Sequence, residues 1–192
     1  FEEELPLSLK RLSWSALSDE WAKMAKEQNY LIGQYGNRIE NSVGTTLTAM
    51  LFIKDKYLIA HVGDSRAYGI TDSVNQLTED QTFIAREIKA GRMTAEEAKI
   101  HPKRNMLLQC IGASRNVEPQ MILGKTDKNS VYMLCSDGFR HVLTNEEIYE
   151  NFNFDNLSDE QSMEKNSRYL IDLVKSRNEK DNITVALLKC YE

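Results

Sequence analysis

From Ser18 to Tyr35 the apolar residues Trp21, Met24, Ala25, Leu31, Ile32 and Tyr35 return at helical spacing, which predicts a helix with one buried face. Asp19 and Glu20 stand near the positive end of its dipole, and Gly36 is placed to stop it. The period then changes. Leu47, Ala49, Leu51 and Ile53 alternate with Thr46, Thr48, Met50 and Phe52, and Lys54-Asp55-Lys56 turns the chain into Tyr57 to Val62, so two paired strands are expected. Gly63-Asp64-Ser65 reads as a turn and Ala67 to Ile70 as a third strand. Between Asp80 and Gly112 the pattern is helical again, with Thr94-Ala95-Glu96-Glu97 as a capping box and Pro102 breaking the run before a short apolar helix. Val131 to Cys135 is a strand. Capping boxes at Thr144 to Glu147 and Ser158 to Gln161 open two more helices, the second running to about Ser176, and Ile183 to Lys189 closes the chain as a strand. Helices and strands mix without repeat or linker, which points to one domain of the α+β class.

Composition narrows the function classes. The 192 residues are 41% hydrophobic and 28% charged, too apolar for disorder, and no stretch reads as a membrane span. With 29 acidic against 24 basic residues the net charge is -5, which argues against a general nucleic-acid binder. Cys110, Cys135 and Cys190 are odd in number and lack Cys-x-x-Cys spacing, so they read as small buried hydrophobes in a reducing cytoplasm. The chain begins at Phe1 with no signal-peptide pattern, as a processed or truncated product would. No Gly-x-x-x-x-Gly-Lys-Ser/Thr loop is present to cradle a nucleotide.

The candidate chemistry lies in three aspartates where strands meet turns: Asp64, Asp137 and Asp181. Carboxylates gathered in a desolvated cleft repel one another, and a hard divalent cation such as magnesium or manganese removes that cost. Asp beside Gly or Asn is also ordinary turn chemistry, and spacing alone does not show that the three converge. An imidazole is the usual proton donor to an alkoxide leaving group, but His61, His101 and His141 each read instead as a structural or surface histidine.

In order along the chain stand Gly44-Thr45-Thr46-Leu47, His61-Val62-Gly63-Asp64-Ser65-Arg66-Ala67-Tyr68, Leu77-Thr78-Glu79-Asp80, Ala90-Gly91 through Thr94-Ala95-Glu96-Glu97-Ala98 to His101-Pro102-Lys103-Arg104-Asn105, Leu134-Cys135-Ser136-Asp137-Gly138, and Asp181-Asn182-Ile183-Thr184-Val185. This series resembles the metal-dependent protein serine/threonine phosphatases of the type 2C family, especially the bacterial members. The resemblance implies a four-layer sandwich of two antiparallel sheets flanked by helices, with manganese or magnesium as a core metal pair and a third, weaker metal. Asp137 and Asp181 would ligate the pair, and Asp80 would help hold the third beneath a flap spanning residues 81–105. Gly63, Asp64, Ser65, Arg66, Gly138 and Asn182 would be structural neighbours of the site, with a direct metal role for Asp64 the alternative. Arg86, Arg92, Lys103 and Arg104 on the flap would either steer phosphorylated proteins, the substrates of serine/threonine kinases, or form a solvated surface. The resemblance implies no phosphoenzyme.

The sequence also departs from the family. The opening strand with its phosphate-binding Arg and acidic ligand, and the following Asp-Gly-x-Gly-Gly turn, have no counterpart; residues Phe1 to Leu17 hold Glu2, Glu3 and Glu4 but no Asp-Gly pair. Gln81 stands where the family often has His. Two expectations follow: a catalytic domain lacking its first strands, weak in hydrolysis as it stands, or a pseudophosphatase acting as a binding or regulatory module. Missing strands would also leave a sheet uncovered and open to dimerisation.

Overall fold

The computed structural model describes residues 13–191; Glu2, Glu3, Glu4 and the segment around them lie outside the described residues. The fold is α+β, with two antiparallel sheets flanked by helices. It divides into two compact units, one holding the chain through Gly63 together with Gln81–Gly124, the other holding Asp64–Asp80 and the chain from Lys125 onward.

In the first unit, helix α1 (Trp14–Arg38) is longer than its periodicity predicts at both ends. Ser13 caps it, its hydroxyl accepting from the Ala16 N–H at 3.2 Å, so Asp19 and Glu20 fall beyond the first turn. Gly36 does not stop the helix. It is buried within it, where a β-carbon would lie 2.7 Å from the Asn41 carbonyl oxygen, so its smallness serves a close approach. The buried stripe is Leu17, Ala25, Asn29 and Gly36, whereas Met24, Leu31 and Tyr35, expected inside, are exposed. Strands β1 (Leu47–Ile53) and β2 (Lys56–Val62) form the expected hairpin, with Lys54 at φ 56° in its two-residue turn. A strand the sequence pattern does not announce, β5 (Gln120–Lys125), completes the order β1-β2-β5. β2 is buried on both faces, which places His61 in the core with Nδ1 2.9 Å from the Thr48 hydroxyl. Ala25 of α1 packs with Val62, Ile111 and Val117. The insertion carries α2 (Phe83–Lys89) and α3 (Ala95–Ile100), the latter opened by the Thr94–Glu97 capping box. The apolar helix expected after Pro102 does not form; Leu107 and Ile111 instead make single β-bridges to Thr82 and Thr45.

The second unit is a four-stranded sheet in the order β4-β3-β6-β7, from β3 (Arg66–Ile70), the short β4 (Val74–Gln76), β6 (Ser130–Cys135) and β7 (Val185–Cys190). Alternation sends Tyr68 and Ile70, Val131, Met133 and Cys135, and Val185 and Leu187 to one face. Phe139, Ile148 and Phe152, Leu157 and Leu170 pack onto that face. They come from the one-turn helix α4 (Asp137–Arg140), from α5 (Asn145–Phe152) and from α6 (Glu160–Ser176) with its preceding loop. Eleven buried residues form this core, which makes it the rigid base for the strand ends at Cys135 and Val185. The Thr144 capping box forms as expected, while the cap of α6 is Asp159 with Ser162, one residue later than the predicted Ser158.

Candidate metal centre

Asp137 and Asp181 stand at the same end of the neighbouring strands β6 and β7, and two devices join their turns. The Ser136 hydroxyl donates to the Asn182 carbonyl at 2.9 Å and accepts from the Thr184 N–H at 3.0 Å, while the Ser136 N–H donates to the Thr184 carbonyl at 3.0 Å. Gly138 supplies the second device. A β-carbon on it would sit 2.6 Å from the Asn182 carbonyl oxygen and 3.0 Å from Asp181 Cβ, so any side chain at 138 would part the turns. Each aspartate spends one oxygen on its own turn: Asp137 Oδ1 accepts from Gly138 N–H at 2.8 Å, and Asp181 Oδ1 from Asn182 N–H at 2.7 Å. Their Oδ2 atoms receive no hydrogen bond from the described residues.

Asp80 is placed differently. Its carboxylate takes a bidentate bond from Arg66, both distances 2.7 Å, a third contact from Arg140 Nη2 at 3.3 Å and a fourth from Gln76 Nε2 at 3.2 Å. Both oxygens are thus engaged by guanidinium groups, and Asp80 acts here as a clamp between β3 and α4. Burial alone would depress the Arg66 guanidinium's pKa, but its bonds to Asp80 and Tyr68 outweigh this and hold it above the ordinary arginine value. Arg140 also donates to the Asp64 carbonyl at 3.1 Å, while its Nε is buried with no acceptor. The Asp64 carboxyl is pushed up, first by burial, then by Asp137, with Arg140 opposing. That influence places the Asp64 and Asp137 carboxylates in one electrostatic neighbourhood, with Asp80 adding to it. Ser65 is half-buried between Asp64 and Arg66. In the first unit Gly63 exchanges bonds with Gln81, whose side-chain oxygen accepts the Gly63 N–H at 3.0 Å and whose own N–H donates to the Gly63 carbonyl at 2.8 Å.

The flap cations are engaged in local contacts. Arg92 forms a bidentate pair with Glu87, and Arg86 reaches Glu87 at 3.0 Å and lies over the Phe83 ring. Lys103 covers that ring too, and Phe83 stacks on His101. The Arg104 N–H donates to the His101 carbonyl. Cys110, Cys135 and Cys190 are free thiols, and burial pushes Cys135 up to about 11, which keeps it protonated and inert.

Three residues near the aspartates escape sequence reading. Ser136 stitches the turns, Arg140 joins the clamp, and Glu179 carries the Lys180–Asp181 turn by accepting both backbone N–H groups, at 2.8 and 3.0 Å. Only Ser136 had a signal, its place beside Asp137. The donor chemistry at Asp137 and Asp181 fits a hard divalent metal: all-oxygen, anionic, at rigid strand ends, with one oxygen of each held back from protein bonds. The ligand number does not make a complete cage, since no three His, Cys, Asp or Glu side chains among the described residues converge as a metal-binding group.

Comparison with known proteins places this arrangement. No family model matches the chain. A Streptococcus pyogenes protein named as a 2C-type protein phosphatase is 33% identical over 147 residues, covering 76% of this chain and 58% of that protein. Serine/threonine protein phosphatase PstP of Mycobacterium tuberculosis is 33% identical over 146 residues, and there the chain spans 27% of the relative's length. Protein phosphatase PhpP of Streptococcus pneumoniae is 30% identical over 176 residues, 90% of this chain and 70% of that protein. Among solved structures, the Streptococcus agalactiae serine/threonine phosphatase aligns with a TM-score of 0.83 at 30% identity, over 94% of this chain and 73% of that one. A PstP catalytic domain solved with two manganese ions aligns at 0.76 and 26% identity, over 95% and 75%. With the strand-end aspartates, the motif order and this shared length taken together, the chain belongs to the metal-dependent protein serine/threonine phosphatases of the type 2C family.

Proposed function

We propose that the protein hydrolyses phosphoserine and phosphothreonine on proteins with manganese or magnesium, and that Asp137 and Asp181 are this chain's share of the metal ligands. The observation that carries the reading is the closure of the two aspartate turns on each other through Ser136 and Gly138, with one carboxylate oxygen of each left for a cation. When bound, the metal supplies Lewis acidity at the phosphoryl group and acidifies water. Around it, Asp80 holds Arg66 and Arg140 in place and keeps α4 set against β3, while Asp64 adds negative potential. A third metal at Asp80 would need one of its guanidinium bonds released. On the flap, Lys103 and Arg104 are the better candidates to meet an acidic phosphoprotein, since Arg86 and Arg92 share Glu87. Among the described residues no helix is long and apolar enough to cross a membrane.

The absence of a third converging ligand among the described residues favours a second reading, a non-catalytic binding or regulatory module. One experiment separates them. In a protein carrying the family's two opening strands ahead of this sequence, manganese-dependent cleavage of a phosphothreonine peptide should appear and should vanish in Asp137→Asn. A protein so completed that takes up no manganese would leave the binding module as the function.

A further inference from the structure

The flap leaves and rejoins the first unit through a narrow neck. The Phe83 N–H donates to the Met106 carbonyl at 2.9 Å, the Leu108 N–H donates to the Gln81 carbonyl at 2.8 Å, and an antiparallel bridge joins Thr82 to Leu107. A ladder of so few bonds is marginal by itself. Gln81 ties it to a rigid base. Its side-chain Oε1 accepts the Gly63 N–H at 3.0 Å, its own N–H donates to the Gly63 carbonyl at 2.8 Å, and its Nε2 lies 3.5 Å from the His61 carbonyl oxygen. Gly63 follows directly on β2, which is buried from Tyr57 to Val62. It is itself buried, at φ 113°, with no room for a β-carbon, which would lie 2.5 Å from Thr46 Cγ2. A buried N–H held in one direction has to find an acceptor, and the Gln81 amide supplies it.

We propose that Gln81 is a positioning residue for phosphoprotein substrates: it staples the neck to the end of β2 and so fixes the direction in which the flap presents its cations. The proposal rests on the reading of the flap as the surface that meets an acidic phosphoprotein, whereas the staple itself stands without it. The flap's first helix begins at the neck with no slack between them. Thr82 caps α2, its hydroxyl accepting from the Ala85 N–H at 3.1 Å, and Phe83 is the first residue of that helix. Arg86 and Lys103 both lie over the Phe83 ring, at 5.3 and 5.1 Å, and the Met106 N–H returns to the Lys103 carbonyl at 3.0 Å. The cations are therefore built outward from the neck, and a neck that swings carries them with it. Gln81 stands where the family often has His, and an amide oxygen is an acceptor whatever the pH.

Amide hydrogen exchange on the chain as it stands tests the staple. Gln81→Met keeps the length of the side chain and removes its acceptor and donor. In that variant the amides of Gly63, Phe83 and Leu108 should exchange about 10-fold faster, the worth of one lost hydrogen bond. Ile59 on β2 and Met133 on β6 should keep their wild-type rates, which separates a loosened neck from general destabilisation. Gln81→Glu, which restores an acceptor, should return protection to Gly63. The positioning role is read in the protein carrying the family's two opening strands. There Gln81→Met should raise KM for a phosphothreonine peptide with kcat unchanged, and leave KM for a small aryl phosphate, which carries no polypeptide, at its wild-type value. Unchanged exchange at Gly63 and Leu108 in Gln81→Met overturns the staple, and a loosened neck with the peptide KM unmoved overturns the positioning role. If the completed protein turns nothing over, hydrolysis fails as the function and the peptide's affinity by fluorescence anisotropy takes the place of KM; an affinity unmoved by Gln81→Met then overturns the proposal in the same way.

Discussion

Single residues in this protein are shared between neighbours, and Asp80 is the plainest case. Its one carboxylate satisfies the guanidinium of Arg66 on β3 and that of Arg140 at the end of α4, with side-chain exposures of only 12%, 24% and 13%. Removing the carboxylate leaves two largely covered cations without their shared counter-ion, which costs far more than losing an exposed ion pair would. Asp80→Ala is therefore expected to lower stability by about 3 kcal/mol, with Asp80→Asn losing less because the amide still accepts one bond. Urea unfolding followed by circular dichroism measures this, and an unchanged midpoint in Asp80→Ala would show that solvent replaces the clamp. The motif order made Asp80 legible as a residue near the site. Its pairing with the two cations was not legible, because Arg66 meets it only when the chain returns through the β3–β4 hairpin and Arg140 only once β3 pairs with β6.

At the scale of elements, the sequence was most informative where a local rule decides the structure. The capping boxes at Thr94 and Thr144, the hairpin turn at Lys54-Asp55 and the core strand from Val131 all form where the residues place them. It was least informative where tertiary contact decides. Gly36 carries the signature of a helix stop yet sits inside α1, and Gly124 sits inside β5, where its missing side chain makes room for the Tyr57 ring. The pairing of α5 with the end of α6 also depends on contact. Arg177, the residue after α6, donates to both oxygens of Glu147 on α5 and, at 2.6 Å, to the Val142 carbonyl. The Arg177 bonds come first among the causes, with the Thr144 N–H, that hold the Glu147 carboxyl down at about 2, against an ordinary 4.5. Because the unfolded chain binds this proton more readily, the interaction contributes its full stability above pH 4.5 and loses it as pH falls toward 2. Solvent screening of a pair exposed by 35% and 25% keeps its contribution small. Arg177→Ala should thus lower the urea midpoint slightly at pH 7 and flatten the decline between pH 4.5 and 2, and a variant with the wild-type acid slope would show that Glu147 is held by Thr144 alone.

For the whole molecule, the order of motifs identified the family, but the partition of the chain was hidden in it. The boundaries between the two units fall inside motifs, between Gly63 and Asp64 and between Asp80 and Gln81. Gly63 and Gln81 bond to each other in one unit, and Arg66 and Asp80 in the other, so adjacent residues of a single motif serve different cores. Among the described residues the first unit's sheet has β1 as an outer strand, where every residue but Thr48 is apolar and none of the seven is fully buried. Half-covered apolar side chains on an outer strand are an arrangement that invites a further strand. Self-association through β1 is accordingly expected. Sedimentation velocity over a range of concentrations should show dimer growing at the expense of monomer, and Leu51→Lys, which places a charge on that edge, should shift the equilibrium back. A monomer at every concentration would mean that β1 is covered within the chain itself, and the open sheet would then cease to be a reason for assembly.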